Sequence, residues 1–125
     1  MANEPQLPTP TVLVVEDEAL LLFSISDDLR ESGFRVLEAG NADIAVSLLE
    51  THPEISILFT DIDMPGSMDG LKLSAAVRAR WPPIRILVTS GKQRIKEGDL
   101  PSGGRFMPKP YTPDRVVSSL RELLA

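Results

Sequence analysis

Ile55-Ser56-Ile57-Leu58-Phe59-Thr60-Asp61 is a largely apolar run closed by a carboxylate. Short and rich in β-branched and aromatic residues, it reads as a buried strand that ends at Asp61. Three other runs have the same form: Val12-Leu13-Val14-Val15 before Glu16-Asp17, Ile86-Leu87-Val88 before Thr89, and Arg105-Phe106-Met107 before Lys109-Pro110. Each delivers a polar or charged residue at its C-terminal end, where open α/β sheets bind ligands. Carboxylates, a hydroxyl and an amine in those places suggest phosphoryl chemistry with a hard metal ion.

Helical periodicity fills the intervals. Leu22, Ile25 and Leu29 share one face of a helix over Ala19 to Ser32, with Gly33 as its stop and a strand over Arg35 to Ala39 after it. Asn41 is placed to cap a helix with Ala42, Ala45 and Leu49 inward, ended by His52-Pro53. Leu73 and Val77 define a helix from Gly70 to Arg80, which Trp81-Pro82-Pro83 breaks, and Thr112-Pro113 opens a last one with Val116, Val117, Leu120, Leu123 and Leu124 inward. Lys92 to Leu100 has only Ile95 and Leu100 as large apolar residues and predicts a short or irregular helix. Arg105 to Met107 is a short strand, and the neighbouring Pro108 suits a sheet edge. Strands alternating with helices imply a doubly wound parallel sheet.

The 125 residues fit one domain, 11–125, after a proline-rich lead-in over 1–10 that reads as disordered. Without cysteine there are no disulfides, thiolate metal sites or cysteine nucleophiles, and the lone His52 cannot build a multi-histidine site. No apolar run approaches the roughly 20 residues of a membrane span, and no signal-peptide pattern opens the chain, so a cytoplasmic protein is expected. Residues 1–71 hold 14 acidic and 2 basic side chains, whereas 72–109 hold 2 acidic and 9 basic. An acidic pI near 4.8 and few aromatics argue against nucleic acid as a partner.

Glu16, Asp17 and Asp61 converge only if the first and third strands are neighbours, which the order 2-1-3-4-5 provides at its switch point. Three close carboxylates repel one another, and Mg²⁺ suits them best because it takes about six oxygen ligands, commonly one or two carboxylates with water and phosphate.

These residues resemble a response regulator receiver domain of bacterial two-component signalling, a chemotaxis-receiver-like, flavodoxin-like fold. The likeness runs from about Thr11 to Leu124 through Glu16-Asp17, Asp61 with Met64-Pro65 and Asp69-Gly70, Thr89, and Lys109-Pro110. Each motif alone is weak; their order and spacing together are specific. The resemblance implies that Asp61 is a phosphoacceptor for a histidine kinase or histidine phosphotransfer protein. Asp17 and Asp61 would bind Mg²⁺ directly, Asp63 through its backbone carbonyl and Glu16 through water. Lys109 and Thr89 would hold phosphoryl oxygens, and Lys109-Pro110 would be a cis peptide. Thr89 and Phe106 would form a switch worth about 1 to 3 kcal/mol of coupling. Such a protein catalyses only its own phosphorylation and dephosphorylation. It acts on an unknown downstream protein, with a phosphorylation-dependent dimer also open to it.

Two departures stand out. The loop Pro65-Gly66-Ser67-Met68-Asp69-Gly70 is one residue longer than the family pattern, and glycines at 91, 98, 103 and 104 with Pro101 occupy the region that often forms an output surface. Because the chain ends one helix after Lys109, a stand-alone receiver is expected. The alternatives are a pseudo-receiver that binds partners without phosphorylation, and a haloacid dehalogenase-type phosphatase. The phosphatase pattern usually places its nucleophile after the first strand and adds a late acidic pair; only Asp114 and Glu122 follow Lys109 here.

Overall fold

The computed structural model describes residues 9–66, 68–92 and 95–125. Residues 1–8 of the expected lead-in, Ser67 of the lengthened loop, and Gln93 and Arg94 lie outside the described residues. In chain order the elements are β1 (Thr11–Val15), α1 (Ala19–Glu31), β2 (Arg35–Ala39), α2 (Ala42–Thr51), β3 (Ile55–Asp61), α3 (Gly70–Arg80), β4 (Arg85–Ser90), β5 (Arg105–Pro108) and α4 (Pro113–Leu124). All pairings are parallel in the order β2-β1-β3-β4-β5, the order predicted from the sequence.

Central strands covered on both faces need apolar residues throughout, which explains the unbroken runs in β1, β3 and β4. Pleating then sorts them. Leu13, Val15, Leu58, Ile86 and Val88 pack with Ala45 and Leu49 of α2 and Leu73 and Val77 of α3. Val12, Val14, Ile57, Phe59 and Leu87 pack on the other face with Leu22, Ile25 and Leu29 of α1 and Val116 and Leu120 of α4. Each fully buried aliphatic side chain contributes about 1.5 to 3 kcal/mol relative to exposure.

Local chemistry sets the helix ends. Asn41 Oδ1 accepts the Ile44 N–H at 2.8 Å, Asp69 Oδ1 accepts the Lys72 N–H at 2.9 Å, and Thr112 Oγ1 accepts the Arg115 N–H at 3.3 Å. α1 stops at Gly33, whose φ of 97° lets the Phe34 N–H turn back to the Leu29 carbonyl.

Among its described residues, the crossover from β4 to β5 contains one 3₁₀ turn, Glu97–Asp99, where a regular alternation would place an α-helix. Its glycines and proline carry the lowest helix propensities. Ile95 and Leu100 nevertheless pack against the cluster beneath α2 and α3, so part of that face is covered without a helix. β5 is an edge strand, and its Pro108 is exposed.

Candidate functional site

The C-terminal ends of β1, β3, β4 and β5 meet around one cleft of about 410 Å³ lined by Glu16, Asp17, Asp61, Asp63 and Lys109, among others. Parallel strands of matched register bring these ends level: Val15 pairs with Thr60, and Asp61 with Thr89. Beyond the ladder, the Ile62 N–H donates to the Thr89 carbonyl at 2.9 Å and the Lys109 N–H to the Ser90 carbonyl at 3.0 Å. The backbone therefore fixes where each functional side chain begins.

Asp61 is 4% exposed. Its Oδ1 accepts the Asp63 N–H at 3.1 Å, and its Oδ2 accepts from Lys109 Nζ at 3.1 Å. The same ammonium donates to Glu16 Oε1 at 2.8 Å. Glu16, Asp17 and Asp61 each offer a carboxylate oxygen, and the three lie within 4.8 Å of one another. Glu16 and Asp61 are buried, while Asp17 is exposed to the cleft. This set of hard oxygen donors fits a divalent cation such as Mg²⁺, which would relieve a repulsion that one lysine only partly offsets.

Burial pushes the Glu16 carboxyl up to about 7, with Lys109 pulling it down and Asp61 adding to the rise. Burial works against the Lys109 ammonium, but hydrogen bonds and charge from Glu16 and Asp61 outweigh it and hold its pKa above the usual lysine value. Lys109 thus remains a cation facing two buried carboxylates.

Thr89 is 3% exposed, and its Oγ1 has no hydrogen-bond partner among the described residues. It lines a cavity of about 10 Å³ with Glu16, Asp61, Phe59 and Tyr111. Phe106 lies elsewhere: half-buried, it packs with the cluster under α2 and α3 that also holds Ile95 and Leu100. The Lys109–Pro110 peptide is cis.

Two residues at the site escaped the sequence reading. Ser90 Oγ donates to Asp63 Oδ2 at 2.7 Å, joining β4 to the loop after β3. Tyr111 packs its ring against Phe59, centroids 5.7 Å apart, beside Asp61 and Thr89. A second polar residue after Thr89 and an aromatic after Lys109-Pro110 were the only signals available. His52 bonds to Glu54 on the surface, and Trp81 caps α3 with Arg80 stacked 4.3 Å from its ring.

A doubly wound five-stranded sheet with an acidic pocket and a lysine at its switch point defines a class, and comparison with known proteins gives it a name. Residues 12–121 match the response regulator receiver domain, and the chain belongs to that family. It is 36% identical over 116 residues to the hydrogenase transcriptional regulatory protein HoxA of Cupriavidus necator, covering 90% of this chain and 23% of that protein. It is 30% identical over 118 residues to the probable transcriptional regulatory protein TcrX of Mycobacterium tuberculosis, covering 91% of this chain and 49% of that one. The chain thus spans less than half the length of either relative. A response regulator receiver protein from Sinorhizobium medicae superposes with a TM-score of 0.86 at 25% identity, over 95% of this chain and 97% of that one. Receiver domains are signalling phosphoacceptors of two-component systems. No helix among the described residues is long and apolar enough to cross a membrane.

Proposed function

We propose that Asp61 accepts a phosphoryl group from the phosphohistidine of a sensor histidine kinase or histidine phosphotransfer protein in the cytoplasm. The supporting observation is a buried carboxylate bonded to Lys109, with Glu16 and Asp17 gathered at cation-binding distance. An Asp61 carboxylate oxygen forms the new O–P bond while the N–P bond of the donor breaks and its imidazole leaves, giving an aspartyl phosphate. Such transfer is mainly positioning and charge stabilisation, so it needs no general base.

Asp17 and Asp61 would hold Mg²⁺ directly, Asp63 through its backbone carbonyl and Glu16 through water. The bound cation supplies the positive charge that lets an anionic phosphoryl group approach an anionic pocket. Lys109 neutralises one phosphoryl oxygen, and the Thr89 hydroxyl donates to another. Thr89 leaves its buried position to do so, and Phe106 responds by turning inward. The result is a changed partner-binding surface or onward relay of phosphate.

The test is incubation with a small phosphodonor and Mg²⁺, followed by intact-mass analysis. One added phosphoryl group, dependent on Mg²⁺ and lost in Asp61→Asn, is expected. Absence of the adduct, or its survival in Asp61→Asn, would overturn this reading.

A further inference from the structure

Ser90 ends β4, one residue beyond Thr89, and is 2% exposed. Its hydroxyl donates to Asp63 Oδ2 at 2.7 Å and accepts the Lys92 N–H at 3.2 Å. Asp63 in turn gives its N–H to Asp61 Oδ1 at 3.1 Å. Two hydrogen bonds in series therefore run from β4 through Asp63 to the carboxylate at the centre of the cleft. Residues 62–66, where the chain leaves β3, have no helix or strand of their own to hold them.

We propose that Ser90 is a positioning residue which, through Asp63, fixes the turn after Asp61 and so sets how tightly the cleft takes a divalent cation. The proposal rests on reading Glu16, Asp17 and Asp61 as a cation site. A hydrogen bond from a hydroxyl to a carboxylate is charge-assisted, and the Ser90 end of this one is closed to solvent. It orders the turn before the cation arrives, so that binding need not supply that order. It also holds the Asp63 carboxylate against β4, while the Asp63 N–H bonds Asp61 Oδ1.

The experiment is calorimetric titration of Mg²⁺ into the full chain as wild type, Ser90→Ala, Asp63→Ala and the double variant, each below its thermal midpoint. Ser90→Ala is expected to weaken Mg²⁺ about fivefold, the order of one such hydrogen bond acting at one remove. In the Asp63→Ala background, the same change is expected to do nothing further. Ser90→Thr, which keeps the hydroxyl, is expected to retain affinity. Unchanged affinity in Ser90→Ala, or an equal loss in both backgrounds, would overturn the proposal. A purely structural role would lower the melting temperature and leave affinity additive between the two positions. Wild-type protein that binds no Mg²⁺, or binds it undiminished after Asp17→Asn, would remove the cation site itself and this proposal with it.

Discussion

A Cβ placed on Gly70 would lie 2.0 Å from the carbonyl oxygen of Asp61, and 2.7 and 2.8 Å from Asp61 C and Ile62 Cα. The Gly70 N–H also donates to the Ile62 carbonyl at 3.2 Å. The first turn of α3 thus rests directly on the backbone that carries the Asp61 carboxylate, with no side chain between them to yield.

Gly70→Ala is therefore expected to force α3 and the end of β3 apart, destabilising the protein by about 3 kcal/mol or more. Urea denaturation measures the loss. Phosphorylation by a small donor should slow in parallel, because the clash falls on Asp61 itself. Wild-type stability would show that α3 can shift away without harm.

Lys109→Ala leaves Glu16 and Asp61 facing each other with side chains only 5% and 4% exposed. Removing one partner from such a buried arrangement should cost about 3 kcal/mol in the absence of divalent cation. Saturating Mg²⁺ should recover part of that loss, since it offsets the same carboxylates. Paired denaturation curves with and without Mg²⁺ test both statements.

Thr89→Val replaces a buried hydroxyl that has no partner among the described residues with a methyl group of similar shape. Unphosphorylated stability should stay within about 1 kcal/mol of wild type, or rise. Aspartyl phosphate formation should fall, because the hydroxyl proposed to hold a phosphoryl oxygen is gone. A large loss of stability in thermal melts would contradict the first half.

Tyr111 is the single tyrosine of the chain, so its ionisation can be followed alone by tyrosinate absorbance. Burial pushes its hydroxyl up to about 12 from the ordinary 10.0, with Lys109 pulling it down and Glu16 and Asp61 adding to the rise. Because the unfolded state ionises first, this group's contribution to stability is fully present below about 10 and is lost as pH rises through about 12. Tyr111→Phe should flatten the stability profile in that window. A tyrosinate midpoint near the ordinary value in the folded protein would refute the burial argument.

The sequence announced most of the scaffold because buried parallel strands leave little latitude: each had to be an apolar run, and the polar residues after Val15, Thr60 and Val88 marked where the runs ended. Caps at Asn41 and Thr112 were readable for the same local reason, whereas Asp69 showed only as the end of the loop before α3. The crossover was legible only in part, since dense glycine forecast a poor helix but not the packing of Ile95 and Leu100. Ser90 carried no local signal beyond following Thr89, and its bond to Asp63 spans 27 positions of chain. Gly70 was visible as a helix start, whereas its proximity to the Asp61 backbone is a product of tertiary packing that no local pattern encodes.

Among the described residues, the sheet separates two apolar clusters that share no residue. Thr89 adjoins Phe59 and Tyr111 on the side of α1 and α4, whereas Phe106 belongs with Ile95 and Leu100 on the side of α2 and α3. A phosphoryl group drawn to Thr89 would thus reach Phe106 through the paired backbone of β4 and β5, where Val88 lies beside Phe106 and Thr89 beside Met107.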